Sequence, residues 1–151
     1  MSARARVVAL GLGLLGASCQ TVDLGAPPAD INACRPSESF FVQQVWPNVL
    51  AKDYAGRKCS DATCHDPSTG RPLSLIPSPM PALDPTQPAP MPLPDDWANN
   101  YRSTTEQMSC GDVEASNLIE YPTATKAHGG GQLFGPASPE VTTIMMWVTA
   151  P

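Results

Sequence analysis

The residues of this chain best suited to chemistry lie in one short run, Cys59-Ser60-Asp61-Ala62-Thr63-Cys64-His65. Two thiols followed at once by an imidazole are what covalent haem attachment needs. The thiols add to the two vinyl groups, and the histidine beside the second thiol comes beneath the iron. The usual spacer between the cysteines is shorter; here it is Ser60 to Thr63. Two other readings use the same residues. A Cys59–Cys64 disulfide would clip a surface loop and leave His65 as a solvated turn residue before Asp66-Pro67. A zinc ion could draw on Cys59, Cys64, His65 and His128, although adjacent Cys64 and His65 are awkward ligands for one tetrahedral centre.

An electron-carrying haem iron needs a sixth ligand as well. His128 is the only other histidine, and Gly129, Gly130 and Gly131 follow it, so backbone could approach a flat ligand closely there. It reads equally well as a loop residue beside a glycine hinge. Met80 and Met91 lie in a loop that could swing over an iron, while Met108, Met145 and Met146 fall in helical segments. Met145 also fits an apolar stripe, and methionine commonly fills cores.

The elements that must position these groups are helical. Ser37 can cap a first helix in which Phe41, Val45 and Val49 repeat at i, i+4, i+8, and Pro47 should kink it or end it near Trp46. A second helix fits Asp95 to Met108, with Trp97, Tyr101, Thr104 and Met108 on one face. A third fits Val113 to Tyr121, closed by Pro122. The last has the clearest signals: Ser138 as cap, Pro139 in the first turn, then Val141, Ile144, Met145 and Val148. Nothing alternates with period two for long enough to form a strand. Nine of the 18 prolines lie between Pro72 and Pro94, so residues 72–94 must be an irregular loop. The expected class is mainly α, a small helical domain with long loops and a Pro-rich insert.

The 151 residues suit one domain. Arg4 and Arg6 precede an uncharged apolar run from Val7 to Leu15, too short to span a bilayer, and Leu15-Gly16-Ala17-Ser18-Cys19 follows. This resembles a bacterial lipoprotein signal, with residues 1–18 removed and Cys19 acylated; an ordinary signal peptide is the alternative. Residues 19–33 then read as a tether and 34–151 as the domain. Gln20 after the cysteine leans the localisation towards the outer membrane, with the periplasm or cell envelope as the compartment. Removing residues 1–18 leaves 7 basic against 14 acidic side chains, a formal charge of −7, which makes nucleic acid a poor partner. The implied associations are the membrane through its lipid anchor and a redox partner protein. No phosphate-binding glycine loop and no nucleophile elbow occur, so a hydrolase or transferase is not indicated.

The order of several pieces resembles the cytochrome-c-like domains of exported myxobacterial and planctomycete proteins. These pieces are Phe40 to Leu50, the Cys59–His65 run, Leu73-Ser74-Leu75, Tyr101-Arg102, Ser116 to Ile119, His128 to Gly131 and Ile144 to Val148. The likeness covers about residues 37–151 without the Pro-rich insert. It implies haem c on Cys59 and Cys64, His65 as proximal iron ligand, and His128 or Met145 as distal ligand. Cys34 and Cys110 are then left to pair with each other, closing a loop of about 76 residues for about 4 kcal/mol in the chain-entropy model. The expected function is an exported, lipid-anchored c-type haem protein that carries or senses electrons. The alternative is a haem-free, disulfide-stabilised lipoprotein of similar scaffold, serving as a binding or structural module of the envelope.

Overall fold

The computed structural model describes residues 35–150. The expected signal peptide, Cys19, the tether and Cys34 lie outside the described residues. Helical turns take up 39% of those described, and no strand occurs among them, so the mainly helical class holds.

The first helix, α1, opens as an α-turn at Glu38–Phe40, where the Ser37 hydroxyl accepts the Phe40 N–H at 3.3 Å. It continues as a π-helix over Phe41–Leu50. This differs from the kink or stop expected at Pro47. A proline ring clashes with the carbonyl four residues back, and the wider π winding moves that carbonyl aside. The ladder resumes five residues apart, with Ala51 N–H donating to the Trp46 carbonyl at 2.8 Å.

Helix α1 supplies the largest share of the core: Phe41, Val42, Val45, Val49 and Leu50 are all at most 1% exposed. The last helix, α4 (Pro139–Thr149), packs on it through Ile144 and Trp147 and begins with the expected Ser138 cap and Pro139. Helix α2 (Asp95–Thr105) adds Trp97 and Tyr101. The aromatic rings interlock, with Phe41 and Trp147 centred 5.5 Å apart and Trp46 and Trp97 likewise 5.5 Å. Their polar tips are satisfied: Trp147 Nε1–H donates to the Ser37 carbonyl at 2.9 Å and the Tyr101 hydroxyl to that of Pro36 at 2.5 Å.

Two boundaries differ from expectation. Helix α2 ends at Thr105 instead of Met108, which still packs against the core. The expected third helix is split into a 3-10 turn, Val113–Ala115, and a short α3, Asn117–Glu120. Ser116 makes the break: its backbone is extended, and its buried hydroxyl accepts the Ser109 N–H at 2.8 Å. Residues 72–94 contain no regular element, as their prolines require.

Glu140, in the first turn of α4, is 5% exposed and pairs with Lys52 just beyond α1. Burial raises its pKa, but hydrogen bonds from Lys52, its own backbone and Ser138 outweigh that and hold the carboxyl below its ordinary 4.5. A carboxyl depressed by folding stabilises the fold above its unfolded pKa, and that contribution disappears as pH falls through the folded value. Glu140→Gln is therefore expected to lower stability by about 1–2 kcal/mol at pH 7. Urea titrations should show the deficit shrinking as the pH is taken below about 4.5.

Candidate functional site

The Cys59–His65 run follows α1 after a short connection and is folded tightly on Asp61. The Asp61 carboxylate accepts the Lys58 N–H at 2.6 Å, and its carbonyl accepts the Cys64 N–H at 2.8 Å. Ser60 N–H reaches back to the Leu50 carbonyl at the end of α1, at 3.3 Å. The long spacer is thus a pair of linked turns, and it leaves the two thiols in different surroundings. Cys59 is 6% exposed and Cys64 half-buried, and both are free. The disulfide clip considered from sequence is therefore not formed. Burial, with the neighbouring Cys64 adding to it, pushes the Cys59 thiol up to about 12.

His65 is half-buried and fixed at both ends. Its carbonyl accepts the Leu75 N–H at 2.6 Å, and its Nδ1 lies 3.0 Å from the Leu73 carbonyl. A carbonyl can only accept, so Nδ1 carries the proton and Nε2 keeps its lone pair. Burial, aided by His128 and Arg71, lowers the pKa of His65 despite the opposing Leu73 hydrogen bond. A neutral imidazole with a free Nε2 is the metal-binding form.

Residues 73–76 are irregular chain, and α2 holds the segment that follows from one polar-studded face. Asn100, fully buried, accepts the Ile76 N–H at 2.7 Å and donates to the Ile76 carbonyl at 3.1 Å. Ser103 Oγ accepts the Ser74 N–H at 2.8 Å, and Asp96 accepts that of Met80 at 2.9 Å. Trp97 Nε1–H donates to the Pro81 carbonyl at 2.8 Å. Four side chains on α2 thereby substitute for the strand partner that a Pro-rich loop cannot have. Only Trp97 stood out in the sequence. The signal for Asn100 was its place three residues after Trp97 and four before Thr104, on the face expected to be buried.

His128 sits across the cleft from His65. The ring centres are 6.1 Å apart and the planes are inclined by only 12°. Its Nδ1 lies 3.0 Å from the Gly131 carbonyl and donates to it. The two histidines and Cys59 line one half-open cleft with Val49, Leu50, Leu73, Leu118 and Tyr121. The cavity volume is about 210 Å³. The wall is mostly apolar.

None of the methionines among the described residues lines this cleft. Met145 packs against the core, Met80 and Met91 are 64% and 72% exposed, and Met146 is 53% exposed. The zinc set is not assembled either: no group of three or more His, Cys, Asp or Glu side chains among the described residues is placed to hold a metal ion. Cys110 is not among the free cysteines. Its expected partner, Cys34, lies outside the described residues. Comparison with family models, with curated proteins and with solved structures finds no match to this chain.

Two outcomes test this geometry. Asn100→Ala leaves the Ile76 N–H and carbonyl buried without partners and is expected to cost about 2–4 kcal/mol, read by chemical denaturation. Alkylation of the haem-free native protein should modify Cys64 well before Cys59, and the difference should vanish in denaturant. Equal native rates at the two thiols would contradict the burial of Cys59.

Proposed function

We propose that this chain is an exported c-type haem protein with a cytochrome-c-like helical domain, anchored to the envelope through Cys19, and that it carries or senses electrons. The observation that carries the reading is the state of His65. It is the residue directly after Cys64, held by its Nδ1 on the Leu73 carbonyl, with Nε2 free beside an apolar cleft that also contains the Cys59 thiol.

The donor set fits the group. Two free thiols can form thioethers, one neutral imidazole can ligate iron, and the apolar wall from Val49, Leu50, Leu73 and Leu118 suits a porphyrin face. When bound, the haem supplies one-electron chemistry. Cys59 and Cys64 would hold the group covalently, and the Leu73 carbonyl, bonded to Nδ1, would orient His65 towards it. Leu50 and Leu118 exclude water. The mature charge of −7 suits a positively charged face on a redox partner protein in the periplasm. No helix among the described residues is long and apolar enough to cross a membrane; the attachment proposed is the lipid on Cys19.

Purified protein from a host with haem-c maturation should show a Soret band and a mass increased by one haem. Cys59→Ala together with Cys64→Ala should abolish the covalent adduct. A colourless product of apoprotein mass, with a control cytochrome matured in the same cells, would overturn the proposal and favour the haem-free envelope module.

A further inference from the structure

We propose that the Pro-rich segment 72–94 builds a second binding groove, which takes an extended, proline-containing, basic segment of a partner protein. The proposal concerns a different cavity from the histidine cleft and does not depend on the haem reading.

The groove is a cavity of about 320 Å³ between α1, α2 and the Pro-rich segment. Trp46 and Pro47 of α1, Trp97 of α2, and Pro79, Leu83 and Pro85 of the segment line it. It shares no lining residue with the cleft of His65 and His128. Hydrogen bonds pin the segment on either side. Asp96 and Trp97 hold the Met80 N–H and the Pro81 carbonyl, at 2.9 and 2.8 Å. Beyond the groove, Gln43 donates to the Gln87 carbonyl at 2.9 Å, and Ser39 accepts the Ala89 N–H at 3.4 Å. Residues 82–86 therefore cross from α2 to α1 as a preformed wall, which an occupant does not have to order.

One donor in this wall lacks an acceptor. Trp46 and Trp97 meet edge to face with ring centres 5.5 Å apart, and the Trp97 N–H is spent on Pro81. Trp46 is 8% exposed, and its Nε1–H has no acceptor among the described residues. No fully buried side-chain nitrogen or oxygen among those residues goes without a partner, so this N–H opens onto accessible space, and Trp46 lines the groove. An indole N–H set among apolar and proline side chains calls for a carbonyl from the occupant. A polyproline chain makes no internal hydrogen bonds, so its carbonyls are free to accept, and its rings suit an aromatic floor.

Charge selects among such chains. Asp84 lies between the lining residues Leu83 and Pro85 and is exposed. Its carboxylate is fixed by the Thr86 N–H at 2.8 Å and the Thr86 hydroxyl at 2.7 Å. Asp96 holds Met80 at the edge, and the exposed Asp95 stands next to it. Neither α1 from Glu38 to Leu50 nor the chain between Arg71 and Arg102 contains a Lys, Arg or His. Three carboxylates without a cation, around an apolar floor, complement Lys or Arg beside the prolines of the occupant.

The test is isothermal titration calorimetry on the purified whole chain, with the capped synthetic peptide Pro-Pro-Leu-Pro-Pro-Lys-Arg as probe. Saturable one-to-one binding is expected, weakening as salt is raised. The matched peptides ending in Glu-Glu, or with alanine for every proline, should not bind measurably. Trp46→Phe keeps a ring but removes the N–H, and should weaken binding about three- to tenfold. Asp84→Asn is a surface change that leaves the core intact; it should weaken binding about two- to fivefold and flatten the salt dependence. Failure of the basic proline peptide to bind, or equal affinity for the Glu-Glu peptide, would overturn the proposal. So would binding that neither Trp46→Phe nor Asp84→Asn alters. Binding seen only in a Pro27→Ala, Pro28→Ala chain would give the groove to the chain's own N-terminal segment and overturn the partner assignment. A dimer in sedimentation that excess peptide leaves intact and that blocks binding would give it to a second copy, with the same consequence.

Discussion

The site depends on the hydrogen bonds between Asn100 and the backbone of Ile76. Residues 73–76 are irregular chain without a strand partner, and α2 meets the Ser74 N–H and both backbone groups of Ile76. Once Ile76 is fixed and Ser103 holds Ser74, the Leu73 carbonyl is a stationary acceptor for His65 Nδ1. The order of dependence runs from an aromatic core that seats α2, through a buried amide, to one carbonyl and then one imidazole. Trp97 is at once a core residue and a hydrogen-bond donor to Pro81, so the core and the loop are not separable layers.

Helices were legible where side chains alone determine them. The Ser138 cap, Pro139 and the Ile144 stripe placed α4 correctly, because caps and periodicity are local. Pro47 misled for a tertiary reason: Phe41 to Leu50 bury one side so completely that the helix winds wider in preference to stopping. Ser116 misled because a buried hydroxyl answering the Ser109 N–H cannot be seen in a pattern of apolar residues. The site was legible as residues but not as geometry. Cys59, His65 and His128, which line the cleft, could be picked from the sequence along with Cys64, which lies outside its lining; the carbonyls of Leu73 and Gly131 that orient the rings carry no residue signature.

The long spacer between the cysteines weakened the motif on paper. In the folded chain it is consumed by turns closed on Asp61, so Cys59 is drawn against the end of α1 while Cys64 stays nearer the surface. The extra residues therefore set depth: one thiol lines the apolar wall and the other lies outside it. A small domain with a long Pro-rich insert has limited apolar area to bury, and a covalently held prosthetic group filling this cleft would add to the core built around α1 and α4.

The most direct measurement is mass spectrometry of the peptide containing residues 59–65, taken from protein made in cells that mature c-type haem and treated with a thiol alkylator before digestion. The account predicts haem on that peptide, with neither Cys59 nor Cys64 alkylated. The same peptide carrying two alkyl groups and no haem, beside a matured control cytochrome, would contradict it.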